Sequence, residues 1–102
     1  MSRRIIYAPE AEAQLIDLYR YIETQASPAI AQKFTEAIVG RCSALAEFPE
    51  RGTPREDLLS ALRTIAFRRR VTIAYRVDTE VVTILGIFYG GQDFEAVFSD
   101  DE

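Results

Sequence analysis

Between Val81 and Tyr89 the chain reads VVTILGIFY, a run with almost no polar position. A strand of that composition has both faces covered, and this requirement limits the fold more than any other stretch does. Just before it, Val71, Ile73, Tyr75 and Val77 alternate with Arg70, Thr72, Ala74 and Arg76. That is the pattern of a strand with one dry and one wet face. Arg68-Arg69-Arg70 and Asp78-Thr79-Glu80 separate three apolar segments, so residues 63–98 read as an antiparallel sheet with two tight reversals.

The remainder of the chain reads as cover for that sheet. Arg3-Arg4-Ile5-Ile6-Tyr7 is a short, β-branched first strand. Pro9 then opens a helix where its missing N–H is harmless, with Glu10 and Glu12 complementing the helix dipole. Ala11, Leu15, Leu18, Tyr19 and Ile22 share one helical face, and the helix is expected to end near Gln25. Tyr19 and Tyr21 cannot both face the core, so one of them is expected at the surface. Ser27-Pro28 restarts the helix as N-cap and first residue. Ile30, Phe34, Ala37, Ile38, Cys42, Leu45 and Phe48 keep helical spacing up to Pro49, which predicts a second helix over 28–48. The short connection makes the pair an antiparallel hairpin. Pro49 to Pro54 is turn chemistry, and Glu56 to Leu59 is expected to form one helical turn.

The expected fold class is therefore α+β, a single domain over 1–102. An N-terminal strand precedes an antiparallel two-helix hairpin, which packs on one face of a small antiparallel β-sheet. Two helices cover one face only. A loop, the residues Phe94 to Phe98, or a second protein must shield the other.

Composition removes whole classes of chemistry. The chain has no histidine and one cysteine, which excludes histidine general catalysis, serine triads, Cys–His pairs and the usual zinc ligand sets. Cys42 lies on the apolar stripe of the second helix and reads as a small core residue. Gly90-Gly91 lacks the pattern of a phosphate loop. No cofactor and no metal are expected. With a single cysteine, no secretory apolar region between Met1 and Tyr7 and no membrane-length run, the expected setting is a reducing cytoplasm without membrane attachment.

The formal charge is −4, which argues against general affinity for nucleic acid. The charge is uneven, however. Arg63, Arg68, Arg69, Arg70 and Arg76 fall in a run without an acid, whereas Asp93, Glu95, Asp100, Asp101 and Glu102 make the C-terminus acidic. A basic patch on an acidic protein suits a specific acidic partner. Arginine, tyrosine and phenylalanine are also the residues that anchor interfaces.

Further motifs appear in order: Tyr7-x-Pro9-Glu10-Ala11, Tyr21-Ile22, Ser27-Pro28-x-x-Ala31, and Phe48-Pro49-Glu50-Arg51-Gly52-x-Pro54. They continue with Leu62-Arg63, Tyr75-Arg76-Val77, and Gly90-x-x-Asp93 followed by Phe94. In this order and spacing the chain resembles the ParE side of the RelE/ParE superfamily of toxins from toxin–antitoxin pairs. The resemblance covers essentially the whole chain.

It implies a toxin of a type II system that inhibits DNA gyrase by binding it. It also implies a ParD-like antitoxin that wraps the toxin and fills its uncovered apolar surface. Antitoxin contacts are expected at Arg63, Arg68, Arg70, Ile73, Tyr75 and Arg76, and target contacts at Tyr89, Gln92, Asp93 and Phe94. No catalytic residue is expected on this reading, and no direct nucleic-acid binding without the antitoxin. The alternative is a RelE-like, ribosome-dependent mRNA endonuclease using Arg63, Arg68, Arg70 and Tyr89. Gln92, where both branches often carry a basic residue, and the acidic balance of the chain disfavour that alternative.

Overall fold

The computed structural model describes residues 2–90 and 94–98. Its elements are β1 (Arg4–Tyr7), α1 (Pro9–Gln25), α2 (Pro28–Ala44), a short 3₁₀ turn (Pro49–Arg51), β2 (Thr53–Pro54), β3 (Leu62–Phe67), β4 (Val71–Val77), β5 (Val81–Tyr89) and α3 (Phe94–Phe98). Pro9 and Pro28 begin the two long helices as expected, and Ser27 Oγ accepts the Ile30 N–H at 3.1 Å.

The second helix is shorter than its apolar spacing implies. It ends at Ala44, and the chain continues through tighter bonds from Leu45 N–H to Cys42 and from Ala46 N–H to Ser43. Pro49 disfavours helical geometry at the residue before it, and Phe48 sits at φ −131°. The tightened turn buries Leu45 and leaves Phe48 63% exposed.

The strands form one five-stranded sheet in the order β1-β5-β4-β3-β2. Three of the pairings are antiparallel, but β1 joins β5 in parallel, with Arg4 opposite Val81 and Tyr7 opposite Ile84. The sheet is thus mixed at the edge where the N-terminal strand enters. β5 is flanked on both sides, which suits its apolar composition.

A bulge explains the rest of that composition. Ala74 pairs with Gly86 but Tyr75 pairs with Ile84, so Leu85 is an extra residue on β5. Because side chains alternate along a strand, one extra residue exchanges the faces beyond it. Val82 and Ile84 point into the helix-side core before the bulge, and Ile87 does so after it. Leu85 and Phe88 point to the far face. The Ile87 N–H beside the bulge donates to Gln14 Oε1 of α1 at 2.7 Å.

The helix-side core joins Ala11, Leu18 and Ile22 of α1 to Ile38 and Cys42 of α2 and to Val71, Ile73 and Tyr75 of β4. Burial pushes the Cys42 thiol up to about 11 and raises the neighbouring Tyr7 hydroxyl as well. Both groups therefore stay protonated, and Cys42 is a filler of the interior.

The far face is covered by the chain itself. Leu62, Ala74 and Phe88 are buried there under Leu58, Leu59, Leu85, Phe94 and Phe98. Phe88 stands 6.0 Å from both the Phe94 and the Phe98 ring. Arg55 pins α3 from above, bonding Glu95 at 3.0 Å and Asp57 at 2.9 Å, with its guanidinium 5.7 Å from the Phe94 ring. Two expectations are corrected by this. The second face of β4 is wet at Arg76 but dry at Ala74. The apolar excess of β5 is satisfied within the chain and does not itself demand a partner.

Candidate functional site: an arginine turn on an aromatic shelf

The tight turn between β3 and β4 is closed by the Arg70 N–H donating to the Phe67 carbonyl at 3.1 Å. Its central residues, Arg68 and Arg69, have φ of 53° and 62°. Positive φ at both positions is the hairpin geometry whose twist matches the flanking strands, and it normally carries Asn-Gly. In an L-residue with a Cβ it costs roughly 1 kcal/mol per position. Replacing Arg68-Arg69 by Asn-Gly is therefore expected to stabilise the chain by about 1–2 kcal/mol in urea denaturation while removing two of its exposed cations. An unchanged or lower midpoint would show that the turn is not strained.

An aromatic shelf supports the turn. Phe34 of α2 packs edge-on against Phe67 at 5.6 Å and against Tyr89 at 6.2 Å, and Tyr21 of α1 lies 5.8 Å from Tyr89. The Arg68 guanidinium stands 4.8 Å from the Phe67 ring and 5.8 Å from Phe34. Arg41 lies 5.5 Å from Phe67 and donates to the Ala66 carbonyl. The Gly90 N–H donates to the Arg70 carbonyl at 2.8 Å, tying the end of β5 to the turn. Tyr21 is 52% exposed, and so is Ile30 at 53%, one helical turn before Phe34. Beside them a cleft of about 440 Å³ opens between α1 and β5, bordered by Gln14, Asp17 and Gly90.

Arg68, Arg69 and Arg70 are all exposed, and none is in an ion pair with a described residue. The site therefore offers guanidinium donors beside aromatic and aliphatic surface, a composition that anchors protein interfaces. Chemically it can bind carboxylates through paired N–H donors.

The residues picked out in the sequence divide into separate groups. Arg68, Arg70 and Tyr89 come together at this end of the sheet. Ile73 and Tyr75 are completely buried and present no surface to a partner. Tyr75 Oη donates to the Pro49 carbonyl at 2.8 Å and accepts the Gly52 N–H at 2.9 Å. Arg63 donates to the Gly52 and Glu50 carbonyls at 2.8 and 3.2 Å. These two side chains clamp the loop over 49–52, so Arg63 is separated from the turn by roughly 13 Å of strand. The four residues of the nuclease alternative are accordingly not gathered in one place. Arg76 is exposed near the opposite end of β4. Phe94 is half-buried and clasps the far face. Gln92 and Asp93 lie outside the described residues.

Three members of the shelf, Tyr21, Phe34 and Phe67, carried only weak signals in the sequence. Tyr21 competes with Tyr19 for the core, Phe34 shows only the helical spacing of the second helix, and Phe67 simply precedes the arginines.

The family model described as "ParE toxin of type II toxin-antitoxin system, parDE" matches residues 5–94, which include the turn, the shelf and the loop clamp. The chain belongs to the ParE toxin family. It is accordingly the toxin member of a type II toxin–antitoxin system. Among solved structures, a chain of the chromosomal ParDE system from P. aeruginosa superposes with a TM-score of 0.76 at 22% identity, covering 87% of this chain and 97% of that one. A chain of the RelBE2 toxin–antitoxin complex from Mycobacterium tuberculosis gives 0.67 at 20% identity, covering 87% and 99%. At these identities the ParE-family toxin shares the fold with both. No curated protein sequence matches it significantly. Among the described residues no helix is long and apolar enough to cross a membrane.

Proposed function

We propose that this ParE-family toxin acts on DNA gyrase by binding, and that a ParD-like antitoxin neutralises it at the arginine turn. The observation that carries this reading is the turn Arg68–Arg70, whose side chains are in no ion pair with a described residue and whose Arg68 guanidinium lies over the Phe34 and Phe67 rings. A guanidinium that is already oriented loses less conformational entropy when a carboxylate arrives. Acidic side chains of the antitoxin would occupy Arg68 and Arg70. Tyr89 belongs to the same surface, so an antitoxin seated there would also cover the residue assigned to target contact. Neutralisation then follows from occlusion, with no conformational change required of the toxin. The presence of a ParDE system among the structural neighbours supports the choice of antitoxin class.

The test is supercoiling by purified gyrase. Addition of the toxin is expected to inhibit supercoiling in a dose-dependent way, and prior mixing with the co-encoded antitoxin is expected to restore it. Normal supercoiling at saturating toxin would remove the gyrase assignment. Site-specific cuts in translated mRNA, read by primer extension, would favour a nuclease instead.

A further inference from the structure

β1 runs beside β5 only as far as Tyr7 opposite Ile84, so the last residues of β5 have no strand on that side among the described residues. The cleft of about 440 Å³ between α1 and β5 opens there, a size that suits a small molecule. Gln14, Asp17, Leu18 and Tyr21 border it from α1 at helical spacing, as one stripe of the helix. Leu18 and Ile87 are buried and supply apolar lining. The rings of Tyr21 and Tyr89, 5.8 Å apart, line it as well.

The polar groups on this stripe are already sorted into donors and acceptors. Gln14 Oε1 accepts the Ile87 N–H at 2.7 Å, which fixes the amide and leaves its N–H donors in no hydrogen bond with a described residue. Asp17, exposed and one turn further along α1, is in no ion pair with a described residue. The helix thus presents amide donors beside a two-oxygen acceptor. The bond to Ile87 also occupies an edge N–H that an added β-strand would need. A compact ligand therefore suits the cleft better than an extended peptide.

We propose that this cleft binds a guanine nucleotide. One edge of guanine carries a carbonyl next to a ring N–H and an amino group. The two donors match the two oxygens of Asp17, and the carbonyl matches the Gln14 amide. Adenine has one donor group on that edge and no carbonyl, so it leaves one Asp17 oxygen unmatched. The flat base stacks on the exposed ring of Tyr21. The phosphate lies toward the arginine turn. Gly90, on the border of the cleft, donates its N–H to the Arg70 carbonyl at 2.8 Å, and Arg68 is reached from Tyr89 through the Phe34 ring. One guanidinium is enough for a monophosphate. The net negative charge of the chain opposes long polyanions far more than this single group.

Isothermal titration of the full chain with guanosine 5′-monophosphate, adenosine 5′-monophosphate, guanosine and inorganic phosphate tests the proposal. The guanine nucleotide is expected to bind about tenfold tighter or more than the adenine nucleotide, and tighter than guanosine or phosphate alone. Tyr21→Ala should weaken it by about tenfold. Arg68→Gln should weaken the nucleotide but not guanosine. Asp17→Asn should turn the base preference toward xanthosine 5′-monophosphate, because an amide there donates to the carbonyl that replaces the amino group of guanine. A merely structural side chain would not exchange one base for another. Asp17 and Tyr21 are exposed, so both changes should leave the melting temperature nearly unchanged. Equal affinity for the two nucleotides, or binding no tighter than that of phosphate, overturns the proposal. So does affinity indifferent to the Asp17 and Tyr21 changes, or no binding at about 10 mM nucleotide.

Discussion

Gly52→Ala is expected to destabilise this toxin by about 3 kcal/mol, combining overpacking with a weakened hydrogen bond. A Cβ at position 52 would stand 2.5 Å from the Thr64 carbonyl oxygen and 2.6 Å from Tyr75 Oη. The first of these is backbone, held by the pairing of Thr64 with Thr53 and Ala74. The second is the hydroxyl that accepts the Gly52 N–H and donates to the Pro49 carbonyl. Neither can move aside without breaking the clamp, and Arg63 loses its grip on the Gly52 carbonyl when the loop shifts. Gly40→Ala is the matched control, because its Cβ meets nothing; it should stabilise by up to about 1 kcal/mol through helix propensity. Urea denaturation of the two variants reads the difference directly. A loss below about 1 kcal/mol at Gly52 would mean that the loop yields and that the clamp is not rigid.

Charge reversal at the turn should have the largest effect on recognition. Arg69→Glu with Arg70→Glu is expected to weaken binding of the co-encoded antitoxin by about 100-fold, close to 3 kcal/mol, with the melting temperature nearly unchanged. Both side chains are exposed and outside any described ion pair, so their loss removes nothing from the fold. Arg63→Ala should do the opposite. It leaves the Gly52 and Glu50 carbonyls without their donor, lowers stability, and leaves the antitoxin affinity of the folded fraction intact. Isothermal titration alongside thermal melts separates the two. If Arg63→Ala weakened binding and the reversed turn did not, the arginine turn would lose its assignment to the antitoxin.

The contrast between these arginines shows how far the sequence could be read. Arg63 and Arg68 belong to the same acid-free run, five residues apart, and nothing local distinguishes them. Arg63 lies on the helix-side face of β3 opposite Tyr75, where the 49–52 loop folds back over it. Arg68 sits at the tip of a turn, where a guanidinium can lie on rings brought from α2 and β3. Tyr75 and Ile73 are expected from the sequence among the antitoxin contacts, yet strand alternation sends both into the core. The helices were more legible. Pro9, Ser27 and Pro28 act through bonds within one turn of themselves, and the start of each helix needed nothing else.

What this sequence determined by itself was local: the helix starts, the hairpin of two helices, the four longer strands though not the two-residue β2, the lack of histidine chemistry, and an ordered set of motifs that marks a ParE-family toxin. Only the tertiary structure decided the parallel entry of β1, the bulge at Leu85, and the covering of the far face by Phe94 and Phe98. It alone separated clamping arginines from presenting ones. The reason is physical. Caps, turns and periodicity depend on residues a few positions apart, whereas the face a side chain occupies in a sheet depends on register. One extra residue in β5 reverses that face for everything beyond it, and no property of the residues from Val81 to Tyr89 taken alone reveals the shift.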